Sequence, residues 1–344
     1  MEKEIKTRVL QPTAEALREA AELLKHGELV AFPTETVYGL GADALNADAV
    51  RSIFAAKNRP ADNPLIVHIW DKSQLDALCE PTETALKLMD AFWPGPLTVL
   101  CRRKPTVPDV VTAGLDTVGM RMPSHPVARE MLRVSGVPVA APSANLSTRP
   151  SPTTAAHVLE DMDGRIPLIL DGGACDFGVE STVLDASGPV PVILRPGAVT
   201  REMVADLVGA CEVADSVMRP LKEGETAPSP GMKHKHYAPK GRLTIYRGRA
   251  EAVAKAICEA YDREENAVIL PLDDHAALYG DRRTLPMGRT LLDAAHHLFA
   301  SLREADHLGY TRLLAEAVSE EEVGLAVMNR MARAAAFDVE DVDN

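Results

Sequence analysis

With 344 residues the chain exceeds one ordinary domain and points to two. Hydrophobic residues make up 46%, enough for sizeable cores, and with aromatics at only 4% those cores must be mostly Leu, Val, Ile and Ala. A net charge of −13 argues against a broad nucleic-acid or membrane surface, though not against a local basic cleft; with no signal sequence and no apolar run long enough to span a bilayer, a cytoplasmic protein is expected.

Residues 13–26 read as a helix, with Leu17, Ala20, Ala21 and Leu24 on one face and Gly27 closing it. The apolar run Leu29-Val30-Ala31-Phe32 reads as a buried strand that Pro33 stops, because proline cannot donate to a central ladder. Thr34, Glu35 and Thr36 follow, and Gly39 and Gly41 allow a sharp turn or a close backbone approach. A helix then starts near Asn46, a good N-cap, with Val50, Ile53 and Phe54 on its apolar face. Small polar groups where a strand ends and a helix is about to begin mark a ligand edge of an α/β sheet. Pro-Thr-Glu-Thr recurs at 81–84, where it only starts a helix, so the Val-Tyr-Gly-Leu-Gly continuation makes the first copy specific. Further strands are expected at Leu65–Trp70, Leu97–Cys101, Val118–Met122, Ile166–Leu170, Thr182–Leu184 and Val190–Leu194. Helices are expected at 81–92, 126–134 and from Thr200, and a first domain closes near Glu212.

Residues 213–241 hold no good periodic element and include Pro220, Pro228, Pro230 and Pro239, the mark of a linker or a functional lid. Thr226–Arg242 carries Lys233, Lys235, Lys240 and Arg242 and no acid, with His234, His236 and Tyr237 interleaved. In an acidic protein that is an odd composition for a passive tether, and 229–239 are expected to order as a lid. From Arg242 strand and helix alternate: strands at Leu243–Tyr246, Ala267–Leu270, Thr284–Met287 and Arg312–Ala317, helices at 250–262, Leu291–Ala305 and Glu320–Ala335. That alternation implies a small parallel sheet with helices on its faces. The expected division is therefore 1–212, a linker at 213–241, and 242–344. No Gly-x-Gly-x-x-Gly opens the second domain, and no P-loop occurs anywhere.

Several residues invite chemistry. Lys57 and Arg59 lie just past a helix, and Asn63-Pro64-Leu65 starts the strand that carries His68. A loop offering an ammonium, a guanidinium and an amide suits a polyphosphate. Taken alone, Lys57 is better read as a solvated helix C-terminus. Arg121, inside the apolar strand Val118-Gly-Met-Arg-Met, must be edge-exposed or paired, either with a bound carboxylate or with an internal acid. Ser143 and Asn145 end a buried strand, where they bind a substrate or make a turn. Ser151 follows a proline in a loop and is weaker. Ser181 resembles no nucleophile elbow and reads as a binding hydroxyl. Arg195, at a strand end, suits a phosphate. The histidines are scattered, with His296 and His297 inside a helix, and the five cysteines form no Cys-x-x-Cys pair. That fits reduced thiols and gives no sign of a zinc site or a disulfide frame.

In order along 13–210, Phe-Pro-Thr-Glu-Thr-Val-Tyr-Gly-Leu-Gly, Lys57-x-Arg59-Pro-x-x-Asn63-Pro-Leu, Ala-Pro-Ser143-Ala-Asn145, Glu-Ser181-Thr-Val and Arg195-Pro-Gly resemble the YrdC-like domain of L-threonylcarbamoyladenylate synthases. Ser229-Pro-Gly-Met-Lys-His-Lys-His-Tyr-Ala-Pro resembles the linker of their long, two-domain members, with Lys-His-Lys-His where an aromatic and an Arg are also expected. The resemblance implies an α/β fold, a YrdC-like twisted mixed sheet with flanking helices followed by a small Rossmann-like parallel domain. It implies the reaction of L-threonine, bicarbonate and ATP to threonylcarbamoyl-AMP and pyrophosphate, feeding N6-threonylcarbamoyladenosine formation in tRNA through a downstream threonylcarbamoyl transferase machinery. It places threonine near Thr36, His68, Arg121, Ala141 and Ser181. It places ATP near Lys57, Arg59, Asn63, Thr117, Ser143, Asn145, Ser151 and Arg195, with His234 or His236 closing over it. Lys57, Arg59 and Arg195 would offset the repulsion between an anionic carbamate and the α-phosphate and stabilise the leaving pyrophosphate. Mg2+ is expected to arrive with ATP rather than in a protein cage.

Two other classes use the same domain. A double-stranded RNA or tRNA-binding module without synthase activity is disfavoured by the acidic balance and the lack of an aromatic-basic stripe. The carbamoyl-transfer enzyme of hydrogenase maturation needs Cys-rich zinc fingers, which the cysteine spacing excludes.

Overall fold

The computed structural model describes residues 5–219 and 236–343. Most of the expected lid, with His234, falls at 220–235, outside the described residues. Threonine and asparagine caps begin most of the long helices. Thr13 accepts from the Ala16 amide ahead of helix Ala14–Lys25, and Asn46 accepts from two amides ahead of Ala47–Lys57. Gly27 follows the first helix at φ +81°, a conformation that only glycine adopts cheaply.

Strands up to Val213 form a twelve-stranded mixed sheet. Its path runs 8–10, 168–170, 30–32, 39–43, 139–140, 66–68, 117–121, 97–103, 182–185, 192–195 and 212–213, with 79–80 paired to 97–103 off that path. Helices cover it, and Leu, Val, Ile and Ala fill its main core, as the low aromatic content requires. One expectation changes at the opening motif. Gly39–Asp43 is a strand antiparallel to Val30–Phe32, so the stretch Pro33–Tyr38 links two strands, and the helix comes only after the second. The glycines still serve close approach. A Cβ at Gly41 would stand 2.7 Å from Val139 and 2.9 Å from Phe32.

The second domain is a four-stranded parallel sheet in the order 267–270, 312–316, 242–247, 339–341, with helices Ala250–Tyr261, Leu291–His307 and Gly324–Ala334. The strand expected at Thr284–Met287 is not one: a single bridge joins Thr284 to Ile269, and the segment otherwise trails along that strand. Its place as the fourth strand is taken by Val339–Asp341, a polar tail piece with little hydrophobic signal.

The two domains meet over a buried seam. Gly324–Ala334 is buried on nearly every side, its Val327 and Met331 facing the parallel sheet's core. Its Asn329 donates to the Val217 carbonyl at the start of the linker, and its Arg333 to that of Ser216. Arg303, wholly buried, donates to Asp161 at 2.8 Å, to Glu160 at 3.2 Å and to the Pro150 carbonyl at 2.6 Å. Val37 and Val179 of the first domain and Tyr237 of the linker join Leu298 and Phe299 of the second domain in one apolar cluster.

Candidate active site

Strand ends gather the site. His68 and Arg121 are register partners on parallel strands, and Thr98 stands opposite Arg121 on the other side. Ser181 leads into the strand Thr182–Asp185, and Arg195 ends the strand that pairs with it. His68, Arg121, Ser181 and Arg195 line one pocket together with Arg59, Ala141, Ser143, Glu180, His236 and Tyr237, and Thr98 stands behind it.

The pocket's cations are unevenly satisfied. Arg121 donates to Glu35 at 2.7 Å and to Thr36 Oγ1 at 3.0 Å, yet its Nε has no partner. Of the two sequence alternatives, the internal acid is therefore present, and one edge of the guanidinium is left over. Burial raises the Glu35 carboxyl, but Arg121 and the Ser124 amide outweigh it and hold it low. Nε and one terminal nitrogen of Arg59 are buried and unpaired, although its guanidinium lies over the Phe54 ring at 5.8 Å. Burial brings Arg59 down to about 10, so it stays charged. Both polar side-chain atoms of Asn63 are buried without a partner, as is His68 Nδ1. Burial first, then the neighbouring Arg121, drives His68 down to about 3, so its ring is neutral. Unpaired buried donors are costly, and an anionic ligand is the group that satisfies such a set.

Arg195 is held in place by Ser181, donating to its carbonyl and hydroxyl at 3.1 Å each. The Ser181 hydroxyl also meets Thr98 at 2.9 Å. Burial lowers Arg195 to about 10.

The sequence candidates fall into three groups. Arg59, His68, Arg121, Ala141, Ser143, Ser181, Arg195 and His236 come together as pocket wall. Thr36, Lys57, Asn145 and Ser151 stand behind it and hold it. The Lys57 ammonium is buried, donating to the carbonyls of Ser143 and Asn145 and to Asn145 Oδ1, and burial drives it well below the usual lysine range. It is thus neither a solvated helix end nor a side chain lining the pocket. Ser143 Oγ donates to Asn145 Oδ1, Asn145 Nδ2 donates to two carbonyls, and Ser151 Oγ donates to Glu180 at 2.6 Å. Thr117 lines a smaller apolar cavity of about 260 Å³ that shares Pro64, Leu65 and Ile66 with the main pocket. His234 lies outside the described residues. The sequence reading missed Glu180, for which a carboxylate flanking a binding hydroxyl in Glu-Ser-Thr was the available signal; it named Tyr237 among the lid residues but gave it no place in the site.

A mixed-sheet domain with a polyanion-suited pocket, roofed by a parallel α/β domain, defines a class, and the class has relatives. The fold of the first domain is shared with Escherichia coli YciO, at a TM-score of 0.50 and 23% identity over 56% of this chain and 95% of that one. A family model described as Telomere recombination matches residues 22–197, and one described as Threonylcarbamoyl-AMP synthase, C-terminal domain, matches 199–336. The threonylcarbamoyl-AMP synthase of Bacillus subtilis is 46% identical over 93% of this chain and 92% of its own length, and that of Pyrococcus abyssi 44% identical over 94% and 95%. The crystal structure of P. abyssi Sua5 complexed with L-threonine superposes at a TM-score of 0.91 with 41% identity, covering 99% of this chain and all of the other. The chain belongs to the threonylcarbamoyl-AMP synthase family, ATP-binding enzymes of the nucleotidyltransferase type that serve tRNA threonylcarbamoyladenosine formation.

Proposed function

We propose that the pocket joins L-threonine, bicarbonate and ATP into threonylcarbamoyl-AMP and pyrophosphate, with Arg59, Arg195 and Arg121 as its principal ligand contacts. The observation that carries this reading is the set of unpaired buried nitrogens on Arg59, His68 and Arg121, all three in the wall of one pocket; Asn63, also unpaired, is not part of that wall and only precedes its Pro64 in sequence. Free edges of two guanidinium groups suit a phosphate chain and a carboxylate. The relative complexed with L-threonine supports a threonine subsite, which we assign to His68, Arg121, Ala141 and Ser181, braced by Thr36.

The threonine amine takes up CO2 from bicarbonate, releasing water and giving a carbamate. A carbamate oxygen then attacks the α-phosphorus, and the bond to the bridging oxygen of pyrophosphate breaks. Both partners are anions, so Arg59 and Arg195 act by lowering the repulsion and by stabilising charge on the departing pyrophosphate. Arg121 fixes the threonine carboxylate and so aims the amine. Lys57 acts one layer back, holding the 143–145 loop through its ammonium. Mg2+ enters as the counter-ion of ATP. Glu35 and Glu180, the carboxylates at the pocket, are each engaged by an arginine, and no step here runs through the metal. Carbamate and mixed anhydride are labile in water, and Tyr237 and His236 add to the wall that shields them. The product passes to a downstream threonylcarbamoyl transferase machinery in the cytoplasm, so tRNA meets this chain only indirectly.

The test is pyrophosphate release from ATP, with mass detection of threonylcarbamoyl-AMP. Product is expected only with both threonine and bicarbonate, and equal turnover without an amino acid would overturn the assignment.

A further inference from the structure

The second domain sends one side chain to the edge of the pocket. Glu180 is the acidic residue of the pocket wall, among the described residues, and both its oxygens are taken. Oε1 accepts from Ser151 at 2.6 Å, and Oε2 accepts from Arg330 Nε at 2.8 Å. Arg330, on the helix Gly324–Ala334, is wholly buried and does not line the pocket, so it pairs with Glu180 from behind. Its Nη1 donates to Asn329 Oδ1 at 2.8 Å, and its guanidinium lies 5.8 Å over the ring of Tyr237, itself a wall residue stacked on Phe299 at 5.1 Å. The next residue after Glu180 is Ser181, whose carbonyl and hydroxyl both accept from Arg195.

A carboxylate in the wall of a pocket that receives a polyphosphate is unfavourable unless its charge is cancelled. Arg195 is the nearby cation on the first domain, and any share it gives to Glu180 is withdrawn from the ligand. We propose that Arg330 is a positioning residue for the synthesis: by pairing with Glu180 from the second domain it cancels the wall's negative charge, and by stacking on Tyr237 it fixes the wall, leaving Ser181 and Arg195 set for ATP. This deepens the reading under Proposed function and rests on it. It also gives the second domain a task in the reaction, since without that helix Glu180 faces the nucleotide uncompensated.

The test measures ATP affinity of the full-length chain by calorimetry, with E180Q, R330Q and the double variant E180Q/R330Q. R330Q is expected to weaken ATP by about tenfold or more, the size of one lost charge-assisted interaction, with a smaller loss for threonine. The double variant is expected to return to within about threefold of E180Q, because the charge that Arg330 cancels is gone. Wild-type ATP affinity in R330Q, or a double variant no tighter than R330Q, would overturn the proposal. If R330Q does not fold, the double variant decides: folded with the affinity of E180Q it supports the proposal, and unfolded it reduces Arg330 to core packing and overturns it. Binding is read without turnover. A wild-type chain that makes no product would therefore count against the proposed reaction, while a productive wild type with an indifferent R330Q would count only against this role.

Discussion

The pocket and the seam between the domains both bury arginines, and they satisfy them to different degrees. At the seam, Arg303 and Arg330 are wholly buried and meet carboxylates at 2.8 Å, with further acceptors in Glu160, the Pro150 carbonyl and Asn329, and of their nitrogens only Arg303 Nε is left without a partner. In the pocket wall, Arg59 has two buried nitrogens without a partner, and Arg121 and His68 have one each. Each unsatisfied buried group costs about 1–3 kcal/mol. A satisfied buried cation serves the fold; an unsatisfied one is stability forgone for a ligand. The same residue type therefore carries two meanings, and only its partners tell them apart.

The hardest blow to this contrast would come at Arg303. Arg303→Ala leaves the buried Asp161 with Arg149 and the Leu146 amide, and the expected loss is about 3 kcal/mol or more in a urea unfolding curve. A loss below about 1 kcal/mol would mean that the seam is no better satisfied than the pocket. The same network has an acid limit. Burial raises Glu160 and Glu180, but their arginines outweigh it and hold both at about 2, against 4.5 when unfolded. Their contribution is therefore complete above about 4.5 and is lost as pH falls from there toward 2.

Arg121 sits between the two regions, because one end is satisfied and the other is not. Arg121→Ala strands the Glu35 carboxylate and removes the free edge together. It is expected to lose about 2–3 kcal/mol of stability and about tenfold or more in threonine affinity, with ATP affected less. Arg59→Ala should separate the terms. Its guanidinium has little to lose in the fold, so stability should stay within about 0.5 kcal/mol while ATP binding weakens by about 1.5–3 kcal/mol. Calorimetry paired with thermal unfolding checks both, and a stability loss at Arg59 matching that at Arg121 would dissolve the distinction.

Much of the fold was legible because its signals are local. The Thr13 and Asn46 caps, the Leu17-Ala20-Ala21-Leu24 face and the apolar runs at 30–32 and 267–270 each state their own structure. The short strands 8–10 and 339–341 were missed because they are three-residue edge pieces with too short a pattern to read, which only their sheet partners define. Thr284–Met287 misled because a β-prone run beside a strand still needs a ladder. At the site, the sequence made legible Arg59, just past a helix, and His68, Arg121, Ser143, Ser181 and Arg195, each in or beside a strand. It could not say that Lys57 turns toward the 143–145 carbonyls, because that depends on which way a helix end packs. Nor could it find Arg330, whose partner Glu180 lies 150 positions away. The one local hint was a cation set next to Met331 on a helix whose other residues are mostly apolar.

The smallest effect expected lies at His68, and it sharpens the contrast because its prediction is an absence of titration. Histidine near a reacting amine invites a role as proton acceptor at neutral pH. Here the ring is buried edge-on against Phe32, with centroids 6.1 Å apart, and Arg121 is its register partner. Burial and that arginine both penalise the imidazolium, which places the group at about 3 in the folded chain against 6.5 when unfolded. The unfolded chain thus binds the extra proton more readily, and stability should decline as pH falls below about 6.5, toward 3. Between pH 6.5 and 9 His68 should do nothing but offer a neutral ring to threonine. Histidine NMR on the ligand-free protein reads this directly, with His68→Asn assigning the resonance. The expected signal stays flat down to at least pH 5. A midpoint near 6.5 would show a ring more open to water and less opposed by Arg121, and the account of a dry, cation-dominated pocket would have to be given up.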